Sequence, residues 1–522
     1  MALMPPPDLR VIIGKAFDEA EPYEPDKPRG RGPGDEEFEI ELAGYLKNDL
    51  GNAKRLIARF GRDLLYVAEV GWHVWVGTHW SLEDGGRRAK MLADDTAMAI
   101  FYEAEALRAA GPKGNESPEE FQARLEKHRK WGVTSGNGPK LAAMLAQAQP
   151  YVTQRMEELD AHPDLFNVRN GTLEVRMDVE GLIHFRPHDR DDLITRLADV
   201  SYDPDAVCPA WLQFIGDVQP SAAQREYLQR WHGYGLTGRT SLQKVAMYYG
   251  FGSNGKSTFL ETIEKLMGNY ALRLLFASLL QDDRRRGADA TPDIANLPGR
   301  RLVVAAEPDT GATFSVGTIK ILTERDTMQA RHLNKGFFSF IPQHHLTLMF
   351  NEQPVIKATD DGTWRRIDLV PWRARYIEAR EAATYPDLPI KDYELPARLL
   401  GELPGILNWL LDGLRLYLET GLEVPEDVVE ATEKYRADSD PVGEFIRAAL
   451  RATAVTSPPA FISGKELYIV YQRWCEESGM QPFSMTRFGK LVKTKLTSET
   501  KGTVRYLHIE VDPRWLKIWD RL

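Results

Sequence analysis

The chain has 522 residues, of which 43% are hydrophobic and 27% charged, with two cysteines and a formal net charge of -10. That length predicts a soluble, globular protein of roughly three or four domains at ~100 to 200 residues each. Cys208 and Cys475 lack Cys-x-x-Cys spacing and clustered histidines, the N-terminus lacks the pattern of a signal peptide, and no apolar run approaches a membrane span. Together these exclude a disulfide framework, a zinc site, secretion and a membrane protein, and they fit a reducing cytoplasm such as that of a bacterial host cell.

In chain order, the Pro-, Gly- and charge-rich stretch from Glu21 to Glu37 has almost nothing to bury, so residues 1–37 read as a disordered leader. Residues 38–205 read as a mixed α+β domain. Gly71 to Trp80 alternates like a strand hairpin, and its three tryptophans are better explained by core packing than by base stacking. Lys90 to Arg108 has helical periodicity, and Leu165 to Val175 is a strand pair with a tight-turn signal at Asn170-Gly171.

Residues 206–400 alternate short apolar runs with helical stretches. Val245 to Tyr249, Leu302 to Ala306, Leu346 to Phe350 and Ile367 to Val370 predict strands of a largely parallel sheet. Residues 401–522 begin with an amphipathic helix from Ile406 to Leu418, after Pro404-Gly405. The tail predicts helices at Lys465 to Glu477 and Ser484 to Leu496, then a strand with Leu507, Ile509 and Val511 on one face. From Arg451 onward there are 12 Lys plus Arg against 7 Asp plus Glu, a local charge of +5. A basic module on an acidic body, with two helices and a strand pair, suggests a winged helix.

The segment Gly250-Phe-Gly-Ser-Asn-Gly-Lys-Ser-Thr258 satisfies Gly-x-x-x-x-Gly-Lys-[Ser/Thr] behind an apolar strand. Glycines let backbone N–H groups close around phosphate oxygens, Lys256 reaches the β and γ phosphates, and the Ser257 hydroxyl ligates Mg²⁺. Gly250, Gly252, Ser253, Asn254, Gly255, Lys256, Ser257 and Thr258 therefore form a candidate site for ATP and Mg²⁺. Glu307, at the end of the Arg301 to Ala306 run, is the candidate acid for polarising an attacking water. Ala306 stands where a second, metal-ordering acid would sit, which shifts Mg²⁺ toward Ser257 and the phosphates. Asn351, after the next strand, could orient the water, and Arg365-Arg366 could reach a neighbouring subunit's γ phosphate. A primase centre would need clustered carboxylates for two metals, and Asp203-Pro-Asp205 is a poor candidate for one.

In this order, Gly-x-Asn-Gly-Lys-Ser, Arg-Leu-Val-Val-x-x-Glu, the Ile319 to Lys335 segment, strand-Asn351 and Asp361…Trp364-Arg-Arg366 resemble the superfamily-3 helicase core. More narrowly they resemble the phage/plasmid primase-helicase family related to the poxvirus primase-helicase. Asn48 to Asn52, Asn167 to Gly171, Tyr202 to Trp211 and Gly405 to Trp409 are similar to that family's flanking segments. The resemblance implies an α/β multidomain chain with an AAA+-like P-loop ATPase core and a C-terminal winged helix, assembled as a homo-oligomeric, hexameric ring. It implies ATP hydrolysis between subunits and translocation on single-stranded DNA to unwind forked DNA for replication, alongside a separate primase or polymerase.

On that pattern Glu307 is the Walker B acid, Asn351 the sensor, and Arg366, with Arg365 second, the arginine finger. Arg331, His332 and Lys335 fall where the family places its pore hairpin, although Glu324-Arg325 replaces the usual Gly-Gly. Arg487, Lys490, Lys493 and Arg505, with Lys501, would contact DNA from the tail. The departures at Ala306 and Glu324-Arg325 keep a second reading open, a DNA-binding initiator in which ATP only drives assembly. A small-molecule P-loop kinase is disfavoured by the flanking modules.

Overall fold

The structure is a computed structural model that describes residues 35–176, 183–280, 292–306, 314–331, 336–356, 360–454 and 459–516. Residues 1–34, nearly all of the expected leader, lie outside it. The first helix among the described residues, Glu36–Ala43, starts where the Asp35 side chain accepts from the Phe38 N–H, so regular structure is already present ahead of Phe38.

The N-terminal module packs five helices, Glu36–Ala43, Asp49–Phe60, Gly85–Ala110, Pro118–Ser135 and Gly138–Ala148, around an antiparallel three-stranded sheet. The expected hairpin is present, with Trp75 opposite Trp80 and both indoles buried, as core packing requires. Asn48 caps the second helix, the adjoining Gly51 lies where a Cβ would meet the Leu46 carbonyl oxygen at 1.9 Å, and Asn52 hydrogen-bonds Ser135 and Trp131. Those residues therefore act in packing. Arg55 and Glu103, both fully buried, form a 3.0 Å ion pair that His128 joins through Nε2 at 2.9 Å. Such a pair costs desolvation but specifies one arrangement of the helices, since removing either partner would strand a buried charge.

At Leu165–Val168 and Gly171–Val175 the expected strand pair forms, but neither Asn170 nor Gly171 has positive φ. The glycine is needed for space. A Cβ there would meet the Arg186 carbonyl oxygen and the Phe185 ring, each at 2.6 Å. Asn170 instead pairs with the Tyr202 backbone in both directions, at 2.8 and 2.9 Å.

The centre of the molecule is a five-stranded parallel sheet in the order Ile367–Pro371, Val245–Tyr249, His345–Phe350, Leu302–Ala306, Ala271–Leu274. Parallel strands covered on both faces read as continuous apolar runs, and these do. Alternate residues enter two cores. Ala246, Tyr248, Val304, Met349 and Val370 face one that includes Trp211, Trp231, Phe259 and Leu410. Val245, Met247, Ala305, Leu348 and Leu369 face another that includes Ile319, Phe340, Trp364 and Tyr435. The edge strand Ala271–Leu274, half-exposed and interrupted by Arg273, was absent from the sequence reading.

The helix expected after Pro404-Gly405 runs from Leu403 to Thr420, with Pro404 in its first turn, where a missing N–H costs nothing. It packs along Ala222–Tyr234 at very short range, because Gly233 and Gly413 carry no Cβ to strike the opposing backbone at 2.4 and 2.1 Å. The 395–438 region thus shares its core with the central sheet, and a separate core starts at Val442.

The tail has a helix at Pro441–Ala449, a strand at Phe461–Ser463, helices at Gly464–Glu477 and Met485–Lys493, and strands at Ser498–Lys501 and Thr503–Leu507. The second helix ends earlier than the expected Leu496. His508, with φ of 58°, breaks the expected final strand, so Ile509–Val511 turns away to pair with Leu450–Ala452.

In the central core, burial pushes the imidazoles of His232, His344 and His345 down to about 3, about 4 and about 3. These lie below the ~6.5 of an unfolded chain. The unfolded state therefore binds more protons between those values, and stability present above pH ~6.5 is lost as pH falls. The thermal midpoint should drop from about pH 7 to about pH 5, before most carboxylates titrate. A midpoint constant over that range would contradict neutral buried histidines.

Candidate nucleotide-binding site

The glycine-rich loop joins the carboxyl end of Val245–Tyr249 to the helix Lys256–Met267, at the edge of a parallel sheet where ligands characteristically bind. Gly252, Ser253 and Gly255 have φ of 79°, 47° and 88°. Left-handed residues in such a turn aim successive N–H groups into one concavity, which suits an anion. Gly250 is fixed by crowding: a Cβ would meet the Trp372 carbonyl oxygen at 2.2 Å and the Asn254 amide at 2.5 Å.

Asn254, 3% exposed, braces the loop by donating to the Trp372 carbonyl at 3.2 Å and accepting from the Lys256 N–H at 3.4 Å. Lys256 is equally buried. Its ammonium donates to the Gly250 carbonyl at 2.6 Å and to Asn351 Oδ1 at 3.2 Å. Both are neutral acceptors that phosphate oxygens could replace. The Ser257 hydroxyl, at the helix start, is exposed and has a weak contact of 3.6 Å to the Met349 sulfur. A buried cation, a concave run of N–H groups and an open hydroxyl fit a Mg²⁺-bound triphosphate.

Beside the loop lies a cleft of about 980 Å³, bounded by Tyr249–Ser253, by 369–377 and by the helix Glu426–Asp438. Phe251, Arg375, Tyr376, Glu430 and Lys434 contribute to its wall. The Tyr376 N–H donates to the Ser253 carbonyl at 2.8 Å, fastening the cleft wall to the loop. The sequence reading missed this wall. Its signal was the aromatic and cationic run Trp372-Arg-Ala-Arg-Tyr376 directly after an apolar strand.

Of the catalytic candidates, the structure brings Asn351 to Lys256. Their strands are adjacent and parallel, so both carboxyl ends open on one edge. Glu307, His332 and Lys335 lie outside the described residues. The strand Leu302–Ala306 ends directly before Glu307, on the far side of the Asn351 strand.

The two arginines sit at the opposite end of the sheet from the loop. Arg366 is 5% exposed, bonded to Glu324 at 3.1 Å and to the Thr323 hydroxyl at 3.5 Å, so it is held inside its own subunit. Arg365 is exposed.

Arg331 stacks over the half-exposed ring of Phe337 at 5.0 Å, beside an antiparallel hairpin pair of short strands, Met328–Ala330 and Phe338–Phe340. In the tail, Arg487, Lys490 and Lys493 share the outer face of Met485–Lys493, opposite buried Phe488 and Val492. Arg505 is half-buried, stacked over Phe461 at 4.4 Å, and Lys501 is paired with Glu499 at 3.0 Å.

Fold and site together define an α/β multidomain protein whose central parallel sheet presents a glycine-rich loop. Residues 53–220 match the family model described as D5 N terminal like. The chain is 29% identical over 330 residues to "Putative helicase L207/L206" of Acanthamoeba polyphaga mimivirus, covering 61% of this chain and 34% of that protein. It is 26% identical over 298 residues to "Putative helicase 022R" of Frog virus 3, covering 54% and 29%. A 24% identical stretch of 231 residues matches "Putative primase C962R" of African swine fever virus, covering 43% and 24%. The chain thus spans about a third or less of the length of these relatives. The apo structure of the NrS-1 C-terminal region aligns with a TM-score of 0.48 at 10% identity, over 89% of this chain and 99% of that one. The family-model match and the viral relatives support the resemblance to the primase-helicase family read from the motif order. No helix among the described residues is long and apolar enough to cross a membrane.

Gly250→Ala should destabilise the protein by ~1 to 3 kcal/mol, because the added methyl meets backbone that cannot move aside. Gly216→Ala, in an open helical position with nothing within 4 Å, should be neutral or stabilising by up to ~1 kcal/mol. Denaturant unfolding of both variants measures the contrast, and equal stabilities would remove the crowding argument.

Proposed function

We propose that this chain is an ATP-hydrolysing, ring-forming DNA helicase of the superfamily-3 type, serving replication of a virus, phage or related mobile element. The observation that carries the reading is the buried Lys256 ammonium held by the Gly250 carbonyl and Asn351 beneath a loop of left-handed residues. The helicase names of the viral relatives support it.

In this mechanism Lys256 exchanges its neutral acceptors for β- and γ-phosphate oxygens, and the loop N–H groups take further oxygens. Mg²⁺ at Ser257 would supply neutralisation of charge on the leaving diphosphate. Water attacks the γ phosphorus, the bond to the bridging oxygen breaks, and the water's proton passes to Glu307, with Asn351 orienting the water. The 980 Å³ cleft takes the base and ribose. It is large enough for a nucleoside and continuous with the phosphate loop.

Arg365 is the guanidinium offered to the next subunit's γ phosphate, since it is exposed while Arg366 is held internally. Single-stranded DNA runs past Arg331, His332 and Lys335, and the tail contacts duplex through Arg487, Lys490 and Lys493, where cations meet phosphates. A hexameric ring, forked DNA as substrate and a separate primase or polymerase complete the proposal.

Lys256→Ala should abolish ATP turnover and strand displacement, with loss of at least ~100-fold in turnover. Retained unwinding by this variant would reject the mechanism. Assembly on DNA with negligible turnover in the unmutated protein would favour the initiator reading.

A composite site gives a second test. Arg365→Ala and Lys256→Ala proteins, each inactive alone, should recover turnover on mixing, because in a head-to-tail ring roughly a quarter of interfaces then pair an intact loop with an intact arginine. No recovery, with mixed rings shown to form, would remove Arg365 from the site.

A further inference from the structure

Helix Val316–Thr323 leads through Glu324 into the hairpin strands Met328–Ala330 and Phe338–Phe340. Two ion pairs join this helix and its exit to the segment that carries Arg365. Lys320 Nζ lies 3.0 Å from Asp360 Oδ1, and Glu324 Oε1 accepts from Arg366 Nη2 at 3.1 Å.

Both contacts bracket Arg365. Asp360 caps the short helix Asp361–Trp364 by accepting from the Thr363 N–H at 3.0 Å and its hydroxyl at 2.9 Å. Arg365 follows immediately, its N–H bonded to the Asp361 carbonyl at 3.0 Å. Arg366 closes the segment, and its carbonyl accepts at 2.7 Å from the N–H of Val245, the first residue of the strand that ends in the phosphate loop. Hairpin root, exposed arginine and loop strand are therefore in direct bonded succession.

The two pairs differ in strength. The Arg366 side chain is 7% exposed and Glu324 34%, so water screens their attraction little. Lys320 and Asp360 are 35% and 50% exposed, and an open pair of that kind contributes less. Arg366 Nε is buried without a hydrogen-bond partner, which leaves Glu324 and Thr323 to hold the guanidinium. A shift of Glu324 would therefore move Arg366 or strand its charge.

We infer that Glu324, assisted by Lys320, is a positioning residue that ties the setting of Arg365 to the hairpin. Displacement of the hairpin by DNA is transmitted through Glu324 and Arg366 to the arginine offered to the neighbouring copy, so DNA occupancy and ATP turnover are coupled. This rests on the ATPase reading proposed above.

The test uses the full chain and measures ATP turnover with and without single-stranded DNA, together with the thermal midpoint. Glu324→Gln should lower the midpoint, since a buried guanidinium loses its carboxylate, but keep DNA-free turnover near that of the unmutated protein below that midpoint while the stimulation by DNA falls about 5-fold or more. Glu324→Asp should restore part of that stimulation, and Lys320→Met, at a half-exposed position where folding is safe, should show a smaller loss in the same direction. Unchanged stimulation in both Glu324→Gln and Lys320→Met overturns the inference. So does a proportional loss of DNA-free and DNA-stimulated turnover, which marks a structural pin only. Turnover in the unmutated protein that DNA does not affect overturns the coupling alone, whereas absence of any turnover overturns the ATPase reading and the coupling with it.

Discussion

Parallel strands cannot be joined by tight turns, and each crossover must carry the chain back along a face of the sheet. In this molecule the crossovers supply helices to both faces, and the two resulting cores account for the apolar runs at Val245–Tyr249 and His345–Phe350. The same constraint collects every strand's carboxyl end on one edge. Lys256 and Asn351 meet there although 95 residues separate them in sequence. It also puts Arg365 and Arg366, which precede a strand, on the opposite edge. A subunit built this way cannot bring its own Arg365 to its own loop, so a role for that residue in phosphate chemistry requires a second copy.

Much of the sheet was legible because its strands are nearly continuous apolar runs, interrupted only by His345, Thr347 and Asp368. The glycine-rich loop was legible for a different reason, since few residue types permit its backbone. The edge strand Ala271–Leu274 was not, because half-exposed positions and Arg273 erase the apolar run that marks its neighbours. Ile509 and Val511 had the right alternation, but a single left-handed residue, His508, reassigned them to another sheet. Asn170-Gly171 carried a turn signal, yet its glycine is there to admit Phe185 and the Arg186 carbonyl. Local pattern reports what a segment can do alone, and these are places where a distant neighbour decides.

The segments flanking the sheet domain have a common physical character. Asn167 donates to the Thr78 and Arg196 carbonyls while its own N–H meets the Tyr270 hydroxyl, tying the N-terminal hairpin to the sheet domain. Asn408 donates to the Asp203 and Ala206 carbonyls, and Glu402 accepts the first free N–H groups of the Pro209–Val218 helix. The backbone of Asp203-Pro-Asp205 thus belongs to a joint between elements.

Three buried cations show how the fold separates fixed from exchangeable charge. Arg55 faces Glu103 and Arg366 faces Glu324, each opposite a carboxylate. Lys256 donates instead to a carbonyl and an amide oxygen. Those two oxygens lie at the carboxyl edge of the sheet, where phosphate oxygens could take their place. Arg366 would lose its Glu324 carboxylate to reach an external phosphate. That cost, together with its place on the opposite edge of the sheet, suits it to holding the structure around the site.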